Sequence, residues 1–575
     1  MSQAMLSESS EEARAKLWDA LSKNPHLARY IDDLARRGQP TPEYFEQLSR
    51  ELRYRQSINI IYSVGDPIFI HIKSRKLGER PLYIVIQPHI KGNFDKLLEL
   101  VEEALIELID EKIEFKDSDE QERILKSLLR KIVEIVPGIP PGKYKTEKKK
   151  GLVKKIKVNR ETYRALEYRM IMDKVRLGIL EPFIRDQYIE DISCDGVGPI
   201  FVEHKIFGSC ESNIRFHSQD ELDNFVRRLS ERTGRPVTFR NPIVDASLPD
   251  GSRINIVFGS DVSMRGTNFT IRKFSDKPIS IVQLIKWGSL DSMIAAYLWI
   301  LLENRMSVWF CGETASGKTT LLRAVCVFIN PHYKIISIED TPEIIVPHDN
   351  WIREVTRKGE EGGGSSIELF DLLKAALRQR PNYIIVGEIR GREASVAFQA
   401  MQTGAPVLAT FHAGSVEKLI QRLTGSPIEI PKTYIDILNA VVIQSAVRIP
   451  ETGKVERRVL SVNEIVGYDP VEGRFDYVEL FNWQPSNDSH EFRGEGSSHL
   501  LENRIAVMLG ISRKELRKIY RELKLRAELL SALVEHRVFD YQQVWKVVKQ
   551  AYNMGVENVL NQILSGERPW EAEET

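Results

Sequence analysis

The sequence has few cysteines, no long apolar run and no net charge. Its four cysteines, Cys194, Cys210, Cys311 and Cys326, never form a C-x-x-C pair. That argues against a thiolate zinc site and a disulfide scaffold, and it fits a reducing compartment. The 81 basic and 81 acidic residues cancel, so overall charge selects no partner, and nucleic acid or an anionic membrane would have to be met by a local patch. The longest apolar run, Met293 to Leu302 (MIAAYLWILL), is about half of the roughly 20 residues that a membrane span needs. The first residues, MSQAMLSESSEEARAKLW, are polar and acidic, unlike a secretory leader. A soluble, cytoplasmic protein is expected, with any membrane contact indirect. No repeat of 20–50 residues is visible.

Length alone predicts roughly 3–4 domains. Residues 1–142 begin helical and charged, continue through strand-like runs (INIIYSV, PIFIHI, LYIVIQP), and return to helical spacing from Phe94 to Ile135. After VPGIPPG come eight lysines between Lys143 and Lys157. The stretch 143–157 reads as a solvated basic linker, with a membrane-surface or filament-facing patch as the alternative. Residues 158–280 read as an α+β domain. From 281 to 480 strands and helices alternate, which predicts parallel strands with crossover helices. The polar stretch NWQPSNDSHEFRGEGSSH (482–499) reads as an exposed connector, and the remainder of 481–575 as a helical extension whose Leu and Val spacing marks a core-facing side. Ser512 and Glu515 in SRKE have the spacing of a capping box.

The chemistry lies in the alternating domain. GETASGKT (Gly312, Glu313, Thr314, Ala315, Ser316, Gly317, Lys318, Thr319), followed by Thr320, matches G-x-x-x-x-G-K-[ST] between a strand (MSVWFC) and a helix (LLRAVCVF). Such a loop turns backbone N–H groups inward around phosphate oxygens, with the helix's positive end behind them. Lys318 is expected on the β- and γ-phosphates and the Thr319 hydroxyl on Mg2+. PNYIIVGEIRG brings Glu388 to a strand end where many nucleotide hydrolases carry two acids. SIEDTPEI places Glu339 and Asp340 at another strand end, and PVLATFHAGS places His412 at a third. Ligands of open α/β sheets sit outside the strand carboxyl ends, so these groups can meet at one site. ATP and Mg2+ are the expected cofactors.

Together, GETASGKT, SIEDTPEI, PNYIIVGEIRG and ATFHAGS resemble the Walker A, Asp box, Walker B and His box of the type II/type IV secretion ATPase superfamily. Upstream, IEDISCDGVGPIFVEH (189–204), FRNPIVDASLPDGSRINIVFG (239–259) and TIRKF (270–274) extend the resemblance to about 160–475. IEDISCDG, LPDGSR, the helical tail and the missing tetracysteine insert fit the archaeal branch of pilus, secretion and motility-filament motors. The resemblance implies a RecA-like P-loop core at 281–480, a PAS-like nucleotide-capping domain at 158–280, an α+β N-terminal domain and a helical C-terminal extension. It also implies arginine fingers, for which Arg253 and Arg272 are the matching positions and Arg240 a weaker one. Glu339 is then expected to polarise the attacking water, Glu388 to support Mg2+ together with Thr319, His412 to contact the γ-phosphate, and Asp340 to orient neighbours. The implied assembly is a cytoplasmic homo-hexamer at the inner face of the cell membrane. It would push on a membrane-embedded platform protein, with IVQLIKWGSL (281–290) as pivot. The alternatives are the motility-filament motor of the same superfamily and a nucleic-acid translocase; neutral charge and the lack of a basic-aromatic strip argue against nucleic acid.

Overall fold

The computed structural model describes residues 15–55, 57–75, 79–89, 94–106, 108, 117–149, 152–274, 278–357, 366–450 and 453–571. The chain forms two compact units, divided after Phe274.

The first unit is built on a ten-stranded sheet. Its spatial order is Glu43–Phe45, Asn59–Ser63, Phe69–Lys73, Leu82–Ile86, Gly208–Phe216, Gly198–His204, Ile189–Cys194, Asn268–Arg272, Arg253–Val257 and Ile243–Ser247. The first four strands come from the segment expected to be a separate N-terminal domain. They are continuous with the other six through a parallel pairing of Leu82 with Glu211 and Tyr83 with Ser212. A buried carboxylate fastens this seam: Asp186 Oδ2 accepts from Tyr62 and Tyr83 hydroxyls at 2.6 and 2.7 Å, and Oδ1 from Tyr188 N at 2.8 Å. Three donors on one buried acid satisfy a charge that would otherwise be costly to desolvate.

The basic stretch expected as a linker is instead a hairpin. Tyr144–Lys149 pairs antiparallel with Leu152–Val158, which also pairs parallel with Val133–Ile135. Ile156 and Val158 are fully buried while Lys143, Lys145 and Lys155 are exposed. That is the period of two of a half-buried strand; counting lysines hides it, because the apolar partners stand between them.

The second unit carries a nine-stranded sheet. In chain order its strands are β1 (Val308–Cys311), β2 (Ile335–Glu339), β3 (Trp351–Val355), β4 (Tyr383–Ile389), β5 (Val407–Phe411), β6 (Ala440–Arg448), β7 (Val455–Asp469), β8 (Arg474–Gln484) and β9 (Ser489–Phe492). The spatial order is β3-β2-β4-β5-β1-β6-β7-β8-β9. The first six in that order are parallel and the rest join antiparallel. The expected boundary at 480/481 falls inside β8, and much of the expected exposed connector is the β8–β9 hairpin, Trp483 pairing with His490.

The apolar run Met293–Leu302 lies in α1 (Ser292–Glu303), whose N-terminus is capped by Asp291 Oδ1 accepting from Ile294 N at 2.8 Å. The helix is apolar all round because it is buried all round. Trp299 stacks on Phe328 with ring centroids 5.0 Å apart. The tail helices Arg517–Glu535, Tyr541–Met554 and Val556–Leu564 send their Leu and Val faces into the same core. The tail therefore belongs to the second unit. Buried Glu464 of β7 binds both parts, accepting from Tyr297 Oη and Ser498 Oγ at 2.6 Å each and from Leu500 N at 3.1 Å. The capping box at Ser512 does not form: its hydroxyl donates to the Glu515 carboxylate at 2.9 Å, at the start of a short 3-10 turn. Among the described residues no helix is long and apolar enough to cross a membrane.

Candidate functional site

Four parallel strands end at the same edge of the second sheet and carry the residues singled out above. β1 is buried along its whole length and runs into the loop Gly312–Gly317. Gly312 has to be glycine: a Cβ there would lie 2.1 Å from the Gln444 carbonyl oxygen and 2.6 Å from Ser316 Oγ. Gly317, at φ 96°, turns the chain into the helix α2 (Lys318–Val325). The loop residues Glu313 to Ala315 are exposed, and Ser316 is buried with no hydrogen-bond partner for its hydroxyl. Lys318 folds back so that Nζ donates to the Glu313 carbonyl at 2.8 Å. Burial lowers its pKa, and the neighbouring Glu388 charge opposes that shift. Thr319 and Thr320 are half-buried in the first turn of α2.

Glu339 closes β2 and is almost wholly buried. Its Oε1 accepts from the backbone N–H groups of Glu343 and Ile344, both at 2.8 Å. Its Oε2 is buried without a hydrogen bond, and Arg353 Nε stands 3.7 Å away. Burial pushes the carboxyl up to about 7, against the pull of the two amides and Arg353. Asp340 accepts from Thr356 Oγ1 at 3.2 Å on the outer side.

Glu388 is held differently. Its Oε2 accepts from Arg390 Nε at 2.9 Å and also from the Arg390 terminal nitrogen, and its Oε1 lies 2.6 Å from His412 Nε2. Burial, then the nearby Lys318 charge, lowers the His412 pKa, so its imidazole is neutral near pH 7. Lys318, Glu388 and His412 thus form one electrostatic group. Gly387 joins Glu339 to it: a Cβ at Gly387 would sit 3.1 Å from Glu339 Cγ. The acid that ends the adjacent strand β2 is thus packed against the glycine that precedes Glu388. β5, with His412 just beyond it, lies between β4 and the phosphate-loop strand β1.

Arg253 and Arg272 lie in the first unit, directly opposite each other on neighbouring strands. Arg253 pairs with Asp245 at 3.0 Å and Arg272 reaches within 4.0 Å of Asp191, both at the surface; Arg240 is exposed as well. Sequence reasoning missed Gly387, Arg390, Gln444 and Arg457 around the site. Gly387 and Arg390 were within the quoted motif and needed only the question of what packs on the glycine. Gln444 and Arg457 arrive on β6 and β7, well over a hundred residues beyond the loop (142 from Ala315 to Arg457), and no local pattern announces them.

The type II/IV secretion system protein family matches residues 173–509. The chain belongs to that family. An uncharacterized protein of Methanocaldococcus jannaschii, MJ0900, is 46% identical over 550 residues, spanning 95% of this chain and 98% of its own length. VirB11 of Rhizobium radiobacter is 26% identical over 302 residues, 46% of this chain and 87% of its own. The X-ray structure of the Legionella pneumophila ATPase DotB aligns over 69% of this chain and 96% of its own at 19% identity, with a TM-score of 0.37. In this type II/IV secretion system protein the matched span takes in the four strand-end motifs and the Arg253–Arg272 strands.

Proposed function

We propose that this chain is a mechanochemical ATPase that drives assembly or secretion of a type IV pilus-like filament. One observation carries the reading: Glu339 packs against Gly387, the residue before Glu388, and Glu388 lies beside Lys318 and His412. A general base works best with a pKa near the operating pH, and the buried Glu339 carboxyl meets that condition. Its Oε2, without a hydrogen bond, polarises the attacking water. Lys318 leaves the Glu313 carbonyl for the β- and γ-phosphates, and neutral His412 donates its ring N–H to the γ-phosphate. Mg2+ when bound neutralises charge on the β- and γ-oxygens. The Thr319 hydroxyl and Glu388 would be the hard oxygen donors that hold it. Among the described residues no cluster of three or more His, Cys, Asp or Glu forms an all-protein metal site.

The strand order, with β5 between β1 and β4, supports a RecA-like core. Arg253 and Arg272, side by side and exposed on a sheet, suit the role of charge-neutralising fingers in a PAS-like capping domain. In the proposed assembly six copies form a ring at the inner face of the membrane and push on a platform protein, with 281–290 as pivot. The test is ATP turnover by the purified chain beside Lys318→Ala. Mg2+-dependent phosphate release that Lys318→Ala abolishes supports the reading. Turnover unchanged by that substitution, or stimulated by DNA and insensitive to lipid, contradicts it.

A further inference from the structure

The phosphate loop has a floor as well as a mouth. The floor is β6 and β7, the strands beyond β1 on the side away from β5. Gln444 of β6 lies against the loop at both glycines: its carbonyl oxygen blocks a Cβ at Gly312, and its Nε2 would be 3.2 Å from a Cβ at Gly317. Arg457 of β7 reaches across from one strand further out. Its Nε donates to the Ala315 carbonyl at 3.0 Å, and its Cδ would be 3.2 Å from the same Gly317 Cβ.

The strand beneath Arg457 is firmly held. Arg457 stands opposite Ala446 in the β6–β7 register, and the next residue, Arg458, faces the other side of the sheet and is buried. Arg458 donates to both carboxylate oxygens of Asp488 at 2.8 Å and to the Trp287 carbonyl at 3.3 Å. A bidentate pair of this kind fixes geometry as well as adding energy. Arg457 therefore acts on the loop from a rigid base.

Its partner is informative. Ala315 holds φ 62°, a left-handed conformation that an alanine adopts only at a cost. A phosphate loop works by turning N–H groups inward, so its carbonyls must be kept outward. A carbonyl that swung inward would set a negative dipole against phosphate oxygens. The Arg457 hydrogen bond holds the Ala315 carbonyl away from that arrangement and supports the strained residue.

We infer that Arg457 is a positioning residue for nucleotide binding: through Ala315 it keeps the loop amides set to receive phosphate. This rests on the ATP-binding reading above. The experiment uses the full chain and Arg457→Ala, Arg457→Lys and Lys318→Ala variants. It measures ADP affinity with a fluorescent nucleotide, KM and kcat for ATP, and nucleotide-free thermal unfolding. Arg457→Ala should weaken ADP binding and raise KM about tenfold, the order of one charge-assisted hydrogen bond. The kcat should change by less than about threefold, because no group placed at the reacting atoms is removed. Unfolding should stay at the wild-type temperature, and Arg457→Lys, which keeps a donor, should recover part of the affinity. Wild-type affinity in Arg457→Ala overturns the inference, as does an affinity loss that Arg457→Lys does not relieve at all or that appears only with a lowered unfolding temperature. If Lys318→Ala loses ADP while Arg457→Ala does not, the inference falls and the ATP-binding reading stands. If the wild-type chain binds no nucleotide, that reading fails and the inference falls with it.

Discussion

The neighbouring strands β2 and β4 each carry one glutamate at their ends, and they hold it in opposite ways. At β2 the main chain does the holding: two backbone amides fix Glu339 Oε1, the group is buried, and its pKa is pushed up to about 7. At β4 a side chain does the holding: Arg390 donates to Oε2 of a half-buried Glu388, whose Oε1 faces His412 without accepting a hydrogen bond. A carboxylate gripped by the amides of Glu343 and Ile344 cannot move without disturbing the segment that follows the strand, whereas one gripped by an exposed arginine can exchange partners cheaply. On the function proposed above, the first kind of hold suits a group that polarises water and the second a group that serves a cation's shell.

Two experiments press on that comparison. The larger effect is expected from pH. If Glu339 must be ionised to accept a proton, its raised pKa makes the ionised fraction climb through pH 7. Turnover at saturating ATP should rise about tenfold from pH 6 to pH 8. A flat profile over that range would place the base elsewhere. A smaller effect should come from Gly387→Ala. The added Cβ meets Glu339 Cγ at 3.1 Å, so the fixed carboxylate has to shift by a few tenths of an ångström. Turnover should fall about fivefold through misplacement of the reacting geometry, with nucleotide affinity kept. If affinity falls instead and turnover holds, the glycine supports the phosphate side and not Glu339.

The placement of the motifs was legible where they are local. The phosphate loop, the three strand-end motifs and the alternation around them each occupy a few consecutive residues, and a strand followed by a glycine turn and a helix has little freedom. The partition of the chain was less legible. Leu82–Ile86 joins Gly208–Phe216 across about 120 residues, and no composition shift marks a pairing that is purely tertiary. The lysine-rich hairpin was misread because charge outweighed period: Ile156 and Val158 carry the strand signal between the lysines. Arg457 was invisible for the same reason as the sheet seam, since only the antiparallel return of β7 brings it to Ala315.

The assignment of roles to the two glutamates is tested most directly by single-turnover phosphate release in Glu339→Gln and Glu388→Gln at saturating Mg2+ and ATP. Loss of a positioned general base costs about 10²–10⁴-fold, so Glu339→Gln should retain ATP and release phosphate at least a hundredfold more slowly. Glu388→Gln should show a raised Mg2+ requirement. Normal release by Glu339→Gln would contradict the account.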